Sequence, residues 1–229
     1  MENIEDMFNN PPPKTEKKQE NNQRGQKDKP WESPTHVAID KDQLHRPEKT
    51  FTLSLADMRN ISRDTIDRFV AISKYLFNNG YTFRATMYEA KKLEQEILKI
   101  ENSKVEKYLL FKTKDSPHDD AVMDGPNVTG YGIAANYNKR YSESKEIAKK
   151  MLAQNVHLLY GDDCSKPVDI LLIDAKKNIE ALGRNVNFKD IGNTFFSLFL
   201  ASKGEATTVF NALAPDVAGR IKDYVNLKK

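Results

Sequence analysis

The chain has one cysteine, one tryptophan and four histidines in 229 residues. It has no apolar run near the roughly 18 residues that a membrane span requires. Cys164 on its own excludes an intramolecular disulfide and fits a reducing, cytoplasmic setting. The first residues, MENIEDMF, are acidic and lack an apolar stretch, so they do not read as a secretory signal. Charge of one sign is also scarce. With 36 Lys and Arg against 33 Asp and Glu the formal balance is +3, so bulk charge makes no case for nucleic acid and any such case rests on local clusters. His36, His45, His118 and His157 are scattered, and no serine sits in a nucleophile-elbow context. Ser116-Pro117-His118-Asp119-Asp120, with Asp124, offers oxygen donors and an imidazole, but without a recognised coordination spacing it reads as an exposed polar loop. Neither a catalytic constellation nor a metal site is expected.

Residues 1–49 carry Pro11, Pro12, Pro13, Pro30, Pro34 and Pro47 around an almost wholly polar stretch, KTEKKQENNQRGQKDK. Such a segment buries too little apolar surface to offset the entropy of ordering it, so a charged, disordered tail is expected. Two apolar islands interrupt it. Ile4, Met7 and Phe8 stand at i, i+3, i+4, and Trp31 lies in PWESP. They read either as stray apolar residues or as a docking peptide through which residues 1–35 engage a protein partner.

From residue 50 to 229 strand and helix patterns alternate. FTLSLA (51–56), YTFRA (81–85), KYLLFK (107–112), VDILLID (168–174) and ATTVFNAL (206–213) have strand character. VDILLID is apolar almost throughout, as a strand covered on both faces should be. A helix capped by Ser62 or Asp64 carries Ile66, Phe69, Val70, Ile72 and Leu76 and stops at Asn78-Asn79-Gly80. Thr86 to Glu89 has capping-box spacing, ahead of Ala90, Leu93, Ile97 and Ile100 at helical spacing. Residues 113–140 are expected to be a long loop, residues 142–154 and about 193–203 helical, and Pro215 opens a last helix. Alternation of this kind predicts an α/β fold: a Rossmann-like, doubly wound, mostly parallel sheet of about five strands.

The order of these segments resembles the SLOG superfamily of Rossmann-like proteins, especially its short bacteriophage-borne members. That superfamily groups the cytokinin-activating phosphoribohydrolases, the DNA-processing protein that loads recombinase onto single strands, and nucleotide-sensing defence domains. Gly80, Tyr81 and Arg84 match the stretch ending the second strand, and Glu96 the glutamate of the helix behind it. Asn155, Leu159 and Gly161 match a segment before the fourth strand, where Gln154 replaces arginine. Gly192 and Thr194 match a helix opening in which Asn193 replaces a second glycine. Val209, Asn211 and Leu213 match the last strand. The glycines that let backbone amides approach phosphate are lost from two turns. Ala56-Asp57-Met58-Arg59 stands for Gly-Ser-Arg, with Arg59 as stand-in, and Ala85-Thr86-Met87-Tyr88 stands for Ser-Gly-Gly-Ala. The phosphoribohydrolase signature is absent. The resemblance thus implies a binding domain with little or no catalysis, and because relatives often dimerise it also implies a homo-oligomer.

Two candidate sites follow. In a doubly wound sheet ligands bind beyond the carboxyl ends of the strands. Arg59, Arg84, Thr86, Asp174, Gly192, Asn193 and Thr194 are therefore the candidates for a nucleotide or its phosphates, the one cofactor class implied. Tyr131, Tyr137, Lys139, Arg140 and Tyr141, with a second basic set at Lys176, Lys177 and Arg184, are candidates for single-stranded nucleic acid, because aromatic rings stack on bases while cations hold the backbone. For each set ordinary caps, solvated loops and core tyrosines are the competing account. The functions left open are a nucleotide-binding domain, a single-strand-binding accessory protein and an adaptor docking through its tail.

Overall fold

The structure is a computed structural model and describes residues 36–56, 60–87, 92–111, 120–175 and 194–228. Six strands form one parallel sheet: β1 (Glu48–Ser54), β2 (Thr82–Ala85), β3 (Val105–Leu109), β4 (Met123–Asp124), β5 (Val168–Ile173) and β6 (Thr208–Asn211), in the order β4-β3-β2-β1-β5-β6. The chain winds outward from β1 to β4, then returns to place β5 on the other side of β1. The Rossmann-like expectation is met, with six strands rather than about five.

Side-chain alternation divides the interior into two cores. Phe51, Phe83, Ile170, Leu172 and Phe210 face α1 (Arg63–Asn78), α2 (Lys92–Leu98) and, towards the C-terminus, the helix Val217–Leu227. Leu171 and Ile173 face three other helices: α3 (Val128–Tyr137), α4 (Glu146–Tyr160) and α5 (Thr194–Gly204). Val217–Leu227 is therefore α6. All six residues of β5 are buried, which explains why it is apolar at every position but Asp169. Ser62 caps α1 by accepting from the Thr65 amide at 3.1 Å, and the helix ends at Asn79 and Gly80, the latter at φ +82°.

Three features depart from the sequence expectation. The long loop expected over 113–140 contains β4 and α3. Gly130 and Gly132 suggested a loop, yet Gly130 serves close packing. A Cβ there would lie 2.2 Å from His157 Nε2 on α4. The apolar stretch 156–161 completes α4 and closes it at Gly161, φ +82°. Finally, packing begins before residue 50. Val37, Ile39 and Leu44 lie against the α3–α4–α5 core, the Val37 amide donates to the Gly132 carbonyl at 3.2 Å, and the His45 amide to that of Ser165 at 2.8 Å. Three apolar residues among many polar ones give no periodicity from which to foresee this strap. No helix among the described residues is long and apolar enough to cross a membrane.

Candidate functional site

Strand order reverses between β1 and β5, and their carboxyl ends define the switch-point crevice. Ser54, the last residue of β1, donates to Ser197 Oγ on α5 at 2.9 Å. The Ala56 amide beyond it donates to Asp174 Oδ1 at 2.5 Å. Asn211 ties the next turns together: its Nδ2 donates to the Ala175 carbonyl at 3.0 Å and its Oδ1 accepts from the Leu213 amide at 3.2 Å. After β2, both the amide and the hydroxyl of Thr86 donate to the buried Glu94, the hydroxyl at 2.6 Å. Met87 holds a left-handed φ of +56°, the backbone shape that suits glycine, while its side chain packs on the core. The chain's own carboxylates thus occupy amides that a glycine turn would offer to an anion. Thr194, the first residue of α5, is fully buried.

Arg84 does not face this crevice. Its side chain is 3% exposed. Nε donates to Glu106 Oε2 at 2.9 Å, across the register pair of β2 and β3. Nη1 donates to the Lys166 carbonyl at 2.8 Å, and the guanidinium lies 5.9 Å from the Tyr108 ring centroid. Lys166 stands in the connection entering β5, on the amino side of the sheet, so the guanidinium is committed to an internal pair and points away from the ligand edge. That geometry replaces the phosphate clamp expected of Arg84.

The aromatic–basic cluster also separates. Tyr131 and Tyr141 are buried core residues, and burial raises both phenol pKa values. These two rings are therefore not presented to bases as the sequence suggested. Tyr137 is half-buried; its hydroxyl accepts from the Ile39 amide at 3.1 Å, and its ring meets Phe199 edge-on at 5.9 Å. Lys139 and Arg140, in the connection from α3 to α4, are exposed. The start of α3 touches the end of α4, where the Asn127 amide donates to His157 Nε2 at 3.3 Å. The two helices therefore run antiparallel, and because α4 feeds the amino end of β5, the Lys139–Arg140 connection lies on the carboxyl side.

The same side carries an aromatic row that the sequence did not single out. Phe195 and Phe199, one turn apart on α5, stack nearly parallel, 6.5 Å between centroids and 8° between planes. Phe195 is 39% exposed. Lys203, one turn further, places Nζ 4.9 Å from the Phe199 centroid. From sequence this stretch is expected only to be helical, over about 193–203. The signal available was the i, i+4, i+8 spacing of Phe195, Phe199 and Lys203.

No family model and no curated protein matches the chain. Among solved structures it is similar to DNA processing protein A from Helicobacter pylori, reported for its single-stranded DNA binding mode. The two are 14% identical over 83% of this chain and 84% of that one, with a TM-score of 0.41.

Arg59, Lys176, Lys177, Arg184, Gly192 and Asn193 lie outside the described residues, as do Ile4, Met7, Phe8 and Trp31. Among the described residues one histidine is buried. His157 Nδ1 pairs with the Gly161 carbonyl at 2.9 Å, and since Nε2 accepts from Asn127, the ring is assigned as the neutral Nδ1–H tautomer. Cys164 Sγ lies 3.5 Å from Nδ1, but burial pushes its thiol up to about 12, so it stays protonated and unreactive at neutral pH.

Proposed function

We propose that this protein is a binding module for single-stranded nucleic acid, and that strands engage the outer face of α5. The stacked Phe195–Phe199 pair with Lys203 over its lower ring carries this reading. Bases stack on exposed aromatic faces with little regard to sequence, and neighbouring cations hold the phosphates. Tyr137 extends the row, and Lys139 and Arg140 supply charge on the same side. A nucleotide in the switch-point crevice is the weaker reading, because Glu94 and Asp174 already accept from the amides a phosphate would use.

The test is fluorescence anisotropy of a labelled oligo-dT against a duplex of equal length. Single strands should bind more tightly. With three cations contributing, the slope of log affinity against log salt should be about −2. Phe195→Ala, at an exposed position, should weaken binding by about 1–3 kcal/mol, the scale of one lost stacking contact. Equal affinity of the wild type and a folded Phe195→Ala variant would remove the α5 face. A rise in melting temperature with millimolar mononucleotide and none with oligonucleotide would return the assignment to the crevice.

A further inference from the structure

On the opposite helical layer, α1 and α6 leave an apolar dimple of about 140 Å3. Ala71, Ile72, Tyr75, Ala218 and Ile221 wall it and Lys222 forms part of its rim. Ala71 and Ala218 are exposed, and their short side chains keep it open. A cavity of about 150 Å3 with aliphatic walls accepts one benzene ring, so this dimple has room for a single phenyl group. The one charged residue that lines it is the cationic Lys222, which is exposed.

The chain itself contains a segment with that chemistry. Glu2–Phe8 places Ile4, Met7 and Phe8 at i, i+3, i+4, and carries Glu2, Glu5 and Asp6 with no basic residue. Residues 14–29 hold six Lys or Arg against three Asp or Glu, the same sign as the rim, so they are the poorer match. Reach is ample. The 27 residues from 9 to 35 extend to about 90 Å, against a radius of gyration of about 16 Å for a domain of this size. A tether of such length holds its end at roughly millimolar effective concentration, so even a weak contact is populated.

We propose that the α1–α6 dimple is an intramolecular docking site for this segment, with the Phe8 ring seated between Ala71 and Ala218 and Lys222 paired to Glu5 or Asp6. A nitroxide on Asn9→Cys in the full chain, with the half-buried Cys164 replaced by Ser so that residue 9 alone is labelled, tests this by NMR. The expected result is selective broadening of amides 71–75 and 218–222, lost several-fold when Phe8→Ala is added. Ala218→Trp, which fills the dimple with its own indole, should abolish the broadening with Phe8 intact. Weak broadening spread over the whole surface, or the same pattern with and without Phe8, overturns the proposal. Mixing isotope-labelled wild-type chain with unlabelled spin-labelled chain separates the two topologies. Broadening in that mixture equal to that within one chain would give the dimple to a second copy and overturn the intramolecular assignment.

Discussion

At the scale of single residues, two charged side chains decide what the sheet can offer a ligand. Arg84 is buried because the strand pairing sets Glu106 directly beside it and the carbonyl of Lys166 completes its donors. Arg84→Ala removes three contacts together and strands a carboxylate. Glu106 keeps 28% exposure, so water relieves part of the cost and the loss belongs at the low end of a broken buried pair, about 2–3 kcal/mol. Urea denaturation measures it, and a change under about 0.5 kcal/mol, the scale of a surface substitution, contradicts the buried pair. Glu94 is the counterpart just beyond the carboxyl end of β2. Glu94→Ala leaves the amide and hydroxyl of Thr86 without this acceptor and should cost about 1–3 kcal/mol, while Glu94→Gln keeps one acceptor and should cost less. The sequence singled out Arg84 as a strand-end cation and candidate phosphate ligand. It did not show direction, because the side chain's course is set by Glu106 and Lys166, 22 and 82 residues away.

At the scale of elements, the contact between α3 and α4 shows why one helix was hidden. Strong periodicity made α1 and β5 readable, since each buries a continuous stripe or face. Helix α3 has glycine at its third and fifth positions, where local preference opposes a helix and only tertiary packing supplies the reason. Two substitutions separate these effects. Gly219→Ala on α6, where no atom lies within 4 Å of the added Cβ, should stabilise by about 0.5–1 kcal/mol. Gly130→Ala gains the same propensity but drives its methyl into His157, and should destabilise by about 1–3 kcal/mol. Thermal unfolding of the pair tests it, and two shifts of the same sign would deny the close packing. The imidazole adds a pH dependence. Burial holds His157 below its ordinary 6.5, so just under that pH the unfolded chain binds a proton that the folded chain refuses. The stability conferred by neutral His157 is complete above 6.5. It is lost as pH falls towards the lowered folded value, at up to about 1.4 kcal/mol per pH unit. His157→Gln should flatten that limb of the denaturation midpoint against pH, and an unchanged limb would assign it to other groups.

At the scale of the whole molecule, the two edges of the sheet have different work. The carboxyl edge holds the crevice and the start of the aromatic row. The amino edge is fastened by a buried anion. Asp169, 1% exposed in β5, accepts from Tyr81 at 2.8 Å on Oδ2, and from Tyr224 at 2.8 Å and Lys228 at 2.5 Å on Oδ1. Tyr81 stands just before β2, while Tyr224 and Lys228 belong to the end of the chain, so one carboxylate joins the sheet to its last helix. Tyr224 also accepts from Thr208 at 3.0 Å, drawing in β6. This explains an aspartate inside the otherwise apolar β5. The donors act on one anion, so their removal should not be additive. Tyr81→Phe leaves Oδ1 served, and Tyr224→Phe leaves Oδ2 served. Together they leave a buried carboxylate with the Lys228 ammonium alone, itself 38% exposed and therefore a weaker substitute. The double variant should lose about 0.5–3 kcal/mol more than the sum of the single losses, measured by urea denaturation at neutral pH. Additivity within about 0.5 kcal/mol would mean that the two hydroxyls stabilise the fold independently, and that α6 is held by its apolar face alone.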